Sequence, residues 1–102
     1  MVYKQYKISG RALSAKEVKV VDKIEEVIEQ LRETIEMAEQ GKCTDGNLAQ
    51  LQRIEYELNE MCNKLNPKEY LPGYGHAIAD SWDTDSILGN RLLEVLCHYK
   101  QL

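Results

Sequence analysis

At 102 residues the chain has the length of one domain, enough for a single core but not for a core with a deep enclosed pocket beside it. Hydrophobic residues make up 43% and charged residues 29%, with a net charge of −4, an ordinary balance for a globular protein in water. No apolar run approaches the ~18 residues of a membrane span, and the N-terminus "MVYKQYKISGRALS" lacks the apolar core of a secretory signal, so a cytoplasmic protein is expected.

The first thirteen residues read as an N-terminal arm. "VYKQYKI" alternates in the manner of a short strand, for which the later segment "HAIAD" offers a partner; the alternative is irregular chain packed on the rest. The arm is basic and carries tyrosines (Tyr3, Lys4, Tyr6, Lys7, Arg11), a composition that can touch nucleic acid. The negative net charge and the acidic helix that follows oppose that use, because both repel phosphate.

The first helix is expected over residues 14–40. "LSAKEV" puts Ser14 at the N-cap and Glu17 three residues on, a capping box, with Leu13 and Val18 placed as a hydrophobic staple. Val21, Ile24, Ile28, Leu31, Ile35 and Ala38 then recur at helical spacing, widened by Val20, Val27 and Thr34. Opposite them runs a row of carboxylates: Asp22, Glu26, Glu29, Glu33 and Glu36. Such a row serves solubility, or it docks a basic partner by long-range attraction.

After the loop "GKCTDGN", the second helix spans about 47–65 on Leu48, Leu51, Ile54, Leu58, Met61 or Cys62, and Leu65, and stops at Asn66–Pro67. The short loop between two long amphipathic helices implies an antiparallel hairpin. Residues 66–83 read as a connecting loop shaped by Pro72, Gly73 and Gly75. A third helix follows over about 84–100, with Asp83 as N-cap, Trp82 and Ile87 as its staple and Asp85 in the first turn. Its buried face is Leu88, Leu92, Val95, Tyr99 and Leu102, with Ile87 and Leu96 alongside, and Gly89 marks a close helix–helix approach. Three apolar stripes that must bury one another predict an all-α, antiparallel three-helix bundle forming a single domain. The same stripes pairing between two chains would make a homodimer.

The cysteines Cys43, Cys62 and Cys97 are widely spaced and form no C-x-x-C pair, which argues against a disulfide framework and a structural zinc site. Cys62 and Cys97 read as buried thiols on helix faces, and Cys43 as an exposed loop residue. Nucleophilic catalysis finds no support: there are two histidines and no G-x-S-x-G or phosphate-binding glycine loop. Cys97 and His98 are helix neighbours that point about 100° apart.

The segment "YLPGYGHAIADSWDTDSILG" admits three readings. Foremost is a turn and a helix cap, with Trp82 anchoring it to the bundle. A second groups His76, Asp80, Asp83 and Asp85 as a divalent-metal or acid–base cluster, although the spacing is not that of a calcium loop. The third is recognition through Tyr70, Tyr74, His76 and Trp82, residue types that dominate binding hot spots. The expected function is therefore non-enzymatic: a protein-binding module of adaptor, regulator or immunity/antitoxin type. It would use the carboxylate row of the first helix together with Tyr74, His76 and Trp82. No catalytic residue, metal ligand or cofactor is assigned. The competing class is a small metal-binding or acid–base enzyme domain centred on His76, Asp80 and Asp83.

Overall fold

The computed structural model describes the backbone at residues 7–8 and 11–102, and side chains from residue 13 onward. In chain order the elements are β1 (Lys7–Ile8), β2 (Arg11–Ala12), α1 (Ala15–Glu39), α2 (Leu48–Lys64), α3 (Tyr74–Ser81) and α4 (Ile87–Lys100). β1 and β2 form a two-residue antiparallel ladder, with Lys7 opposite Ala12 and Ile8 opposite Arg11. The arm thus pairs with its own continuation and not with "HAIAD"; residues 2–6, with Tyr3, Lys4 and Tyr6, lie outside the described residues. The other four elements are helices, and no described helix is long and apolar enough to cross a membrane.

Local chemistry starts α1 and α2 and stops α1 through residues near each helix end. The Ser14 hydroxyl accepts from the Glu17 amide at 3.3 Å, and the Glu17 carboxylate accepts from the Ser14 amide at 2.8 Å, completing the capping box. At the far end of α1, Gly41 takes φ +81, and the amides of Gly41 and Lys42 close back on the Ala38 and Met37 carbonyls. That is the Schellman pattern, which needs a residue at ease in the left-handed region. Asn47 caps α2 by accepting from the Gln50 amide. α2 ends on Leu65, at φ 48, one residue ahead of the Asn66–Pro67 stop read from the sequence.

The stripes of α1, α2 and α4 bury against one another within one chain. Ile24, Leu31, Leu51, Leu58, Leu92 and Tyr99 are fully inaccessible at the centre. α1 packs against both α2 and α4. The three long helices expected from periodicity are present, but a fourth, α3, occupies the segment read as loop. It packs on α4.

α3 exists because its cap arrives from elsewhere. Its own N-cap, Gly73, has no side chain to offer. Instead Glu57 of α2, 5% exposed, accepts from the Gly73 amide at 3.2 Å and the Tyr74 amide at 3.0 Å. A carboxylate there satisfies two of the amides a helix start leaves orphaned and meets the positive end of its dipole. Gly75, taken from the sequence as a turn former, is a packing glycine: a β-carbon on it would lie 2.8 Å from Leu96 Cδ2. α3 can therefore lie close to α4.

The start of α4 also differs from expectation. Ser86, not Asp83, is the N-cap, accepting from the Gly89 amide at 2.9 Å and donating to the Asp45 carboxylate at 2.7 Å. Asp83 accepts from the Asp85 amide and shapes the preceding turn instead. With the helix starting three residues later, Asp85 falls outside the first turn. Ile87 becomes the first helical residue and is 68% exposed, not a staple partner or part of the core face. Gly89 does mark a close approach, but to the Trp82 ring (3.1 Å from a notional β-carbon) and not to another helix axis. Cys97 is exposed, correcting its assignment to the buried face; Cys62 is half-buried and Cys43 exposed.

Three tyrosines tie the helices together. Tyr74 donates to the Leu92 carbonyl at 2.8 Å, and the Tyr99 hydroxyl lies 2.6 Å from the Tyr70 carbonyl and 3.0 Å from that of Asn66. Burial pushes the hydroxyls of Tyr70, Tyr74 and Tyr99 above their ordinary value near 10, and the Glu57 carboxylate adds to the rise at Tyr70 and Tyr74. Raised folded values favour the neutral phenol. Their contribution to stability is therefore complete below pH ~10 and is lost as pH rises through the folded values. Urea midpoints followed from pH 9 upward should fall less steeply for Tyr74→Phe than for the wild-type chain. Equal slopes would remove Tyr74 as a source of the alkaline sensitivity.

Candidate protein-docking surface

The acidic row is placed as its periodicity implies. Asp22, Glu26, Glu29, Glu33 and Glu36 are all exposed, on the side of α1 opposite its buried residues. From Asp22 to Glu36 the row runs roughly 21 Å at the helical rise. What the neighbouring cations do matters more. Lys23 reaches sideways to Glu94 of α4 at 3.5 Å, and Arg32 to Glu55 of α2 at 2.8 Å. Both tie α1 to its flanking helices. Among the described residues, no ion pair or hydrogen bond engages the side chains of Glu26, Glu29, Glu33 or Glu36. Lys23 and Arg32 are thus directed to the seams, away from these carboxylates.

The second group of candidates divides. Tyr74 is 3% exposed with its hydroxyl bonded inside the fold, and Trp82 is 7% exposed with Nε1 donating to Gln50 Oε1 at 2.9 Å. Their rings pack in the core, so the anchoring reading of Trp82 holds and neither offers contact area to a partner in this conformation. His76 is exposed. It sits on α3 four residues before Asp80, also exposed, one helical turn apart in a segment read from the sequence as loop. Neither side chain makes a hydrogen bond or ion pair among the described residues. Asp83 lies beyond the end of α3 with its carboxylate turned to the Asp85 amide. No group of three or more His, Cys, Asp or Glu among the described residues is arranged to hold a metal ion.

A feature that periodicity did not reveal lies beside the acidic row. An open groove of about 570 Å³ runs between the C-terminal half of α1, the α1–α2 loop and the start of α4. Met37, 42% exposed, and Ile87, 68% exposed, both line it. Asp45 and Asp85 supply its charge, and among the described residues no lysine or arginine lines it. The one signal in the sequence was Ser86: taken as the N-cap, it puts Ile87 at the first helical position, on the surface. Comparison of the chain with protein-family models, with curated proteins and with solved structures finds no match.

Proposed function

We propose that the protein is a non-enzymatic binding module of adaptor, regulator or immunity/antitoxin type, whose α1 face docks a partner with a basic surface. The carrying observation is the set of four carboxylates, Glu26, Glu29, Glu33 and Glu36, that have no ion pair among the described residues while Lys23 and Arg32 pair with α4 and α2. Like charges at i, i+4 cost an isolated helix a few tenths of a kcal/mol per pair. A basic partner relieves that repulsion on binding, and the row steers its approach.

The test is capture of partners from the host lysate by the tagged protein at low and high salt, beside a Glu29→Lys/Glu33→Lys variant. A basic protein retained at low salt, shed at high salt and lost by the variant is the expected result. Substitutions at these exposed sites should leave stability within about 0.5 kcal/mol, so loss of capture would not reflect unfolding. A partner that the variant holds as well as the wild type would remove the acidic face from the reading.

A further inference from the structure

We infer that the groove between α1 and α4 receives an apolar side chain of a basic, amphipathic partner segment. This deepens the reading of α1 as a docking face and rests on it. Met37 and Ile87 are two of the four large hydrophobic side chains left substantially exposed among the described residues, and both border the same groove. Ile87 opens α4, where the helix makes no demand for an isoleucine. The open, shallow shape suits a side chain projecting from a segment; it does not enclose a small molecule as a ligand cleft does.

Charge selects the occupant. Asp45 accepts a single hydrogen bond, from Ser86, and the Asp85 carboxylate has no partner among the described residues. Both carboxylates line the groove and no lysine or arginine among the described residues does, so an anionic ligand is disfavoured and a cation is favoured. Met37 follows Glu33 by four residues and so stands beside it on α1, making the groove and the acidic row one continuous surface. A partner helix with an apolar residue flanked by lysine or arginine one turn away fits both parts at once.

The test uses three synthetic helical peptides of equal length as probes, titrated into the ¹⁵N-labelled protein: lysine/leucine amphipathic, lysine/glutamine, and glutamate/leucine. The lysine/leucine peptide should shift the amides of Met37, Thr44, Asp45 and Ile87 and bind at least about tenfold more tightly than lysine/glutamine. In a Met37→Ser/Ile87→Ser variant with an unchanged melting temperature, the two basic peptides should bind alike. Glutamate/leucine should not bind. Equal binding of the two basic peptides to the wild-type protein, or a preference surviving in the variant, overturns the groove while leaving the acidic face standing. Binding of glutamate/leucine in the groove overturns the basic occupant. Failure of both basic peptides counts against the groove and the acidic face together.

Discussion

Replacing Glu57 with alanine is expected to lower stability by about 3 kcal/mol, the cost of removing a charged acceptor from amides that have no other partner. For a domain of this length each kcal/mol moves the melting temperature by about 4–8 °C, so the change should be unmistakable. The reason is topological. Gly73 and Tyr74 begin α3, their amides point at Glu57, and Glu57 is 5% exposed on the neighbouring helix. Water cannot replace the carboxylate at the Tyr74 amide without opening the packing of Tyr74, itself 3% exposed. Glu57→Gln keeps a carbonyl acceptor and should cost about 1 kcal/mol. Arg53→Ala is the control for the ion pair, because Arg53 bonds the other carboxylate oxygen at 3.0 Å from an exposed position. Only the guanidinium side of that i, i+4 pair is exposed, so Arg53→Ala should cost about 1 kcal/mol, less than Glu57→Ala because the amides keep their acceptor. Amide exchange over Tyr74–Ile78 supplies the local readout, which Glu57→Ala should accelerate more than exchange in α1. Unchanged exchange there, with a stability loss below ~1 kcal/mol, would mean that α3 does not depend on its borrowed cap.

Glu57 also explains which parts of the fold were legible. The start of α1 was, since Ser14 and Glu17 lie within one turn and cap each other. The buried stripes were legible too, because a helix face is written in spacing alone. α3 was hidden: its cap comes from a residue 16 and 17 positions earlier, and its glycine is tolerated for what Leu96 does on another helix. The choice between Asp83 and Ser86 as the cap of α4 was undecidable locally. Ser86 is held by a hydrogen bond to Asp45, 41 residues away, and Asp83 is engaged by the turn before it. That shift of three residues turned Ile87 outward and created one wall of the groove.

The candidate surface follows the same division. The acidic row is a periodic pattern, and periodicity found all five members. That Glu26, Glu29, Glu33 and Glu36 have no ion pair among the described residues is a tertiary property: Lys23 and Arg32 are received by Glu94 and Glu55 at the helix seams. Tyr74 and Trp82 have the composition of contact residues, yet composition does not report burial. Each was needed inside, where its polar atom found a partner in Leu92 or Gln50.

Gly46→Ala should cost about 3 kcal/mol, while Gly41→Ala in the same loop should cost about 1 kcal/mol. The two glycines share a left-handed backbone, φ +74 and φ +81, so both substitutions incur the penalty a β-carbon brings there. They differ in surroundings. A β-carbon on Gly41 meets nothing within 4 Å, whereas one on Gly46 runs first into Gln50 Oε1, the partner of the indole, and stands 2.9 Å from Trp82 Cζ2 and 3.0 Å from Nε1. Trp82 cannot retreat freely, because its ring packs in the core and against Gly89 while Nε1 is bonded to Gln50. The difference between the two variants therefore reports how tightly the α1–α2 loop is packed against the hydrogen-bonded pair Gln50 and Trp82. Trp82 is the chain's single tryptophan, so its emission reports that packing directly. Gly46→Ala should shift that emission to the red and Gly41→Ala should leave it in place. Equal costs and unshifted spectra would mean that the ring moves aside without penalty. The same junction carries the hydrogen bond from Ser86 to Asp45, two of the residues that line the groove beside Met37 and Ile87.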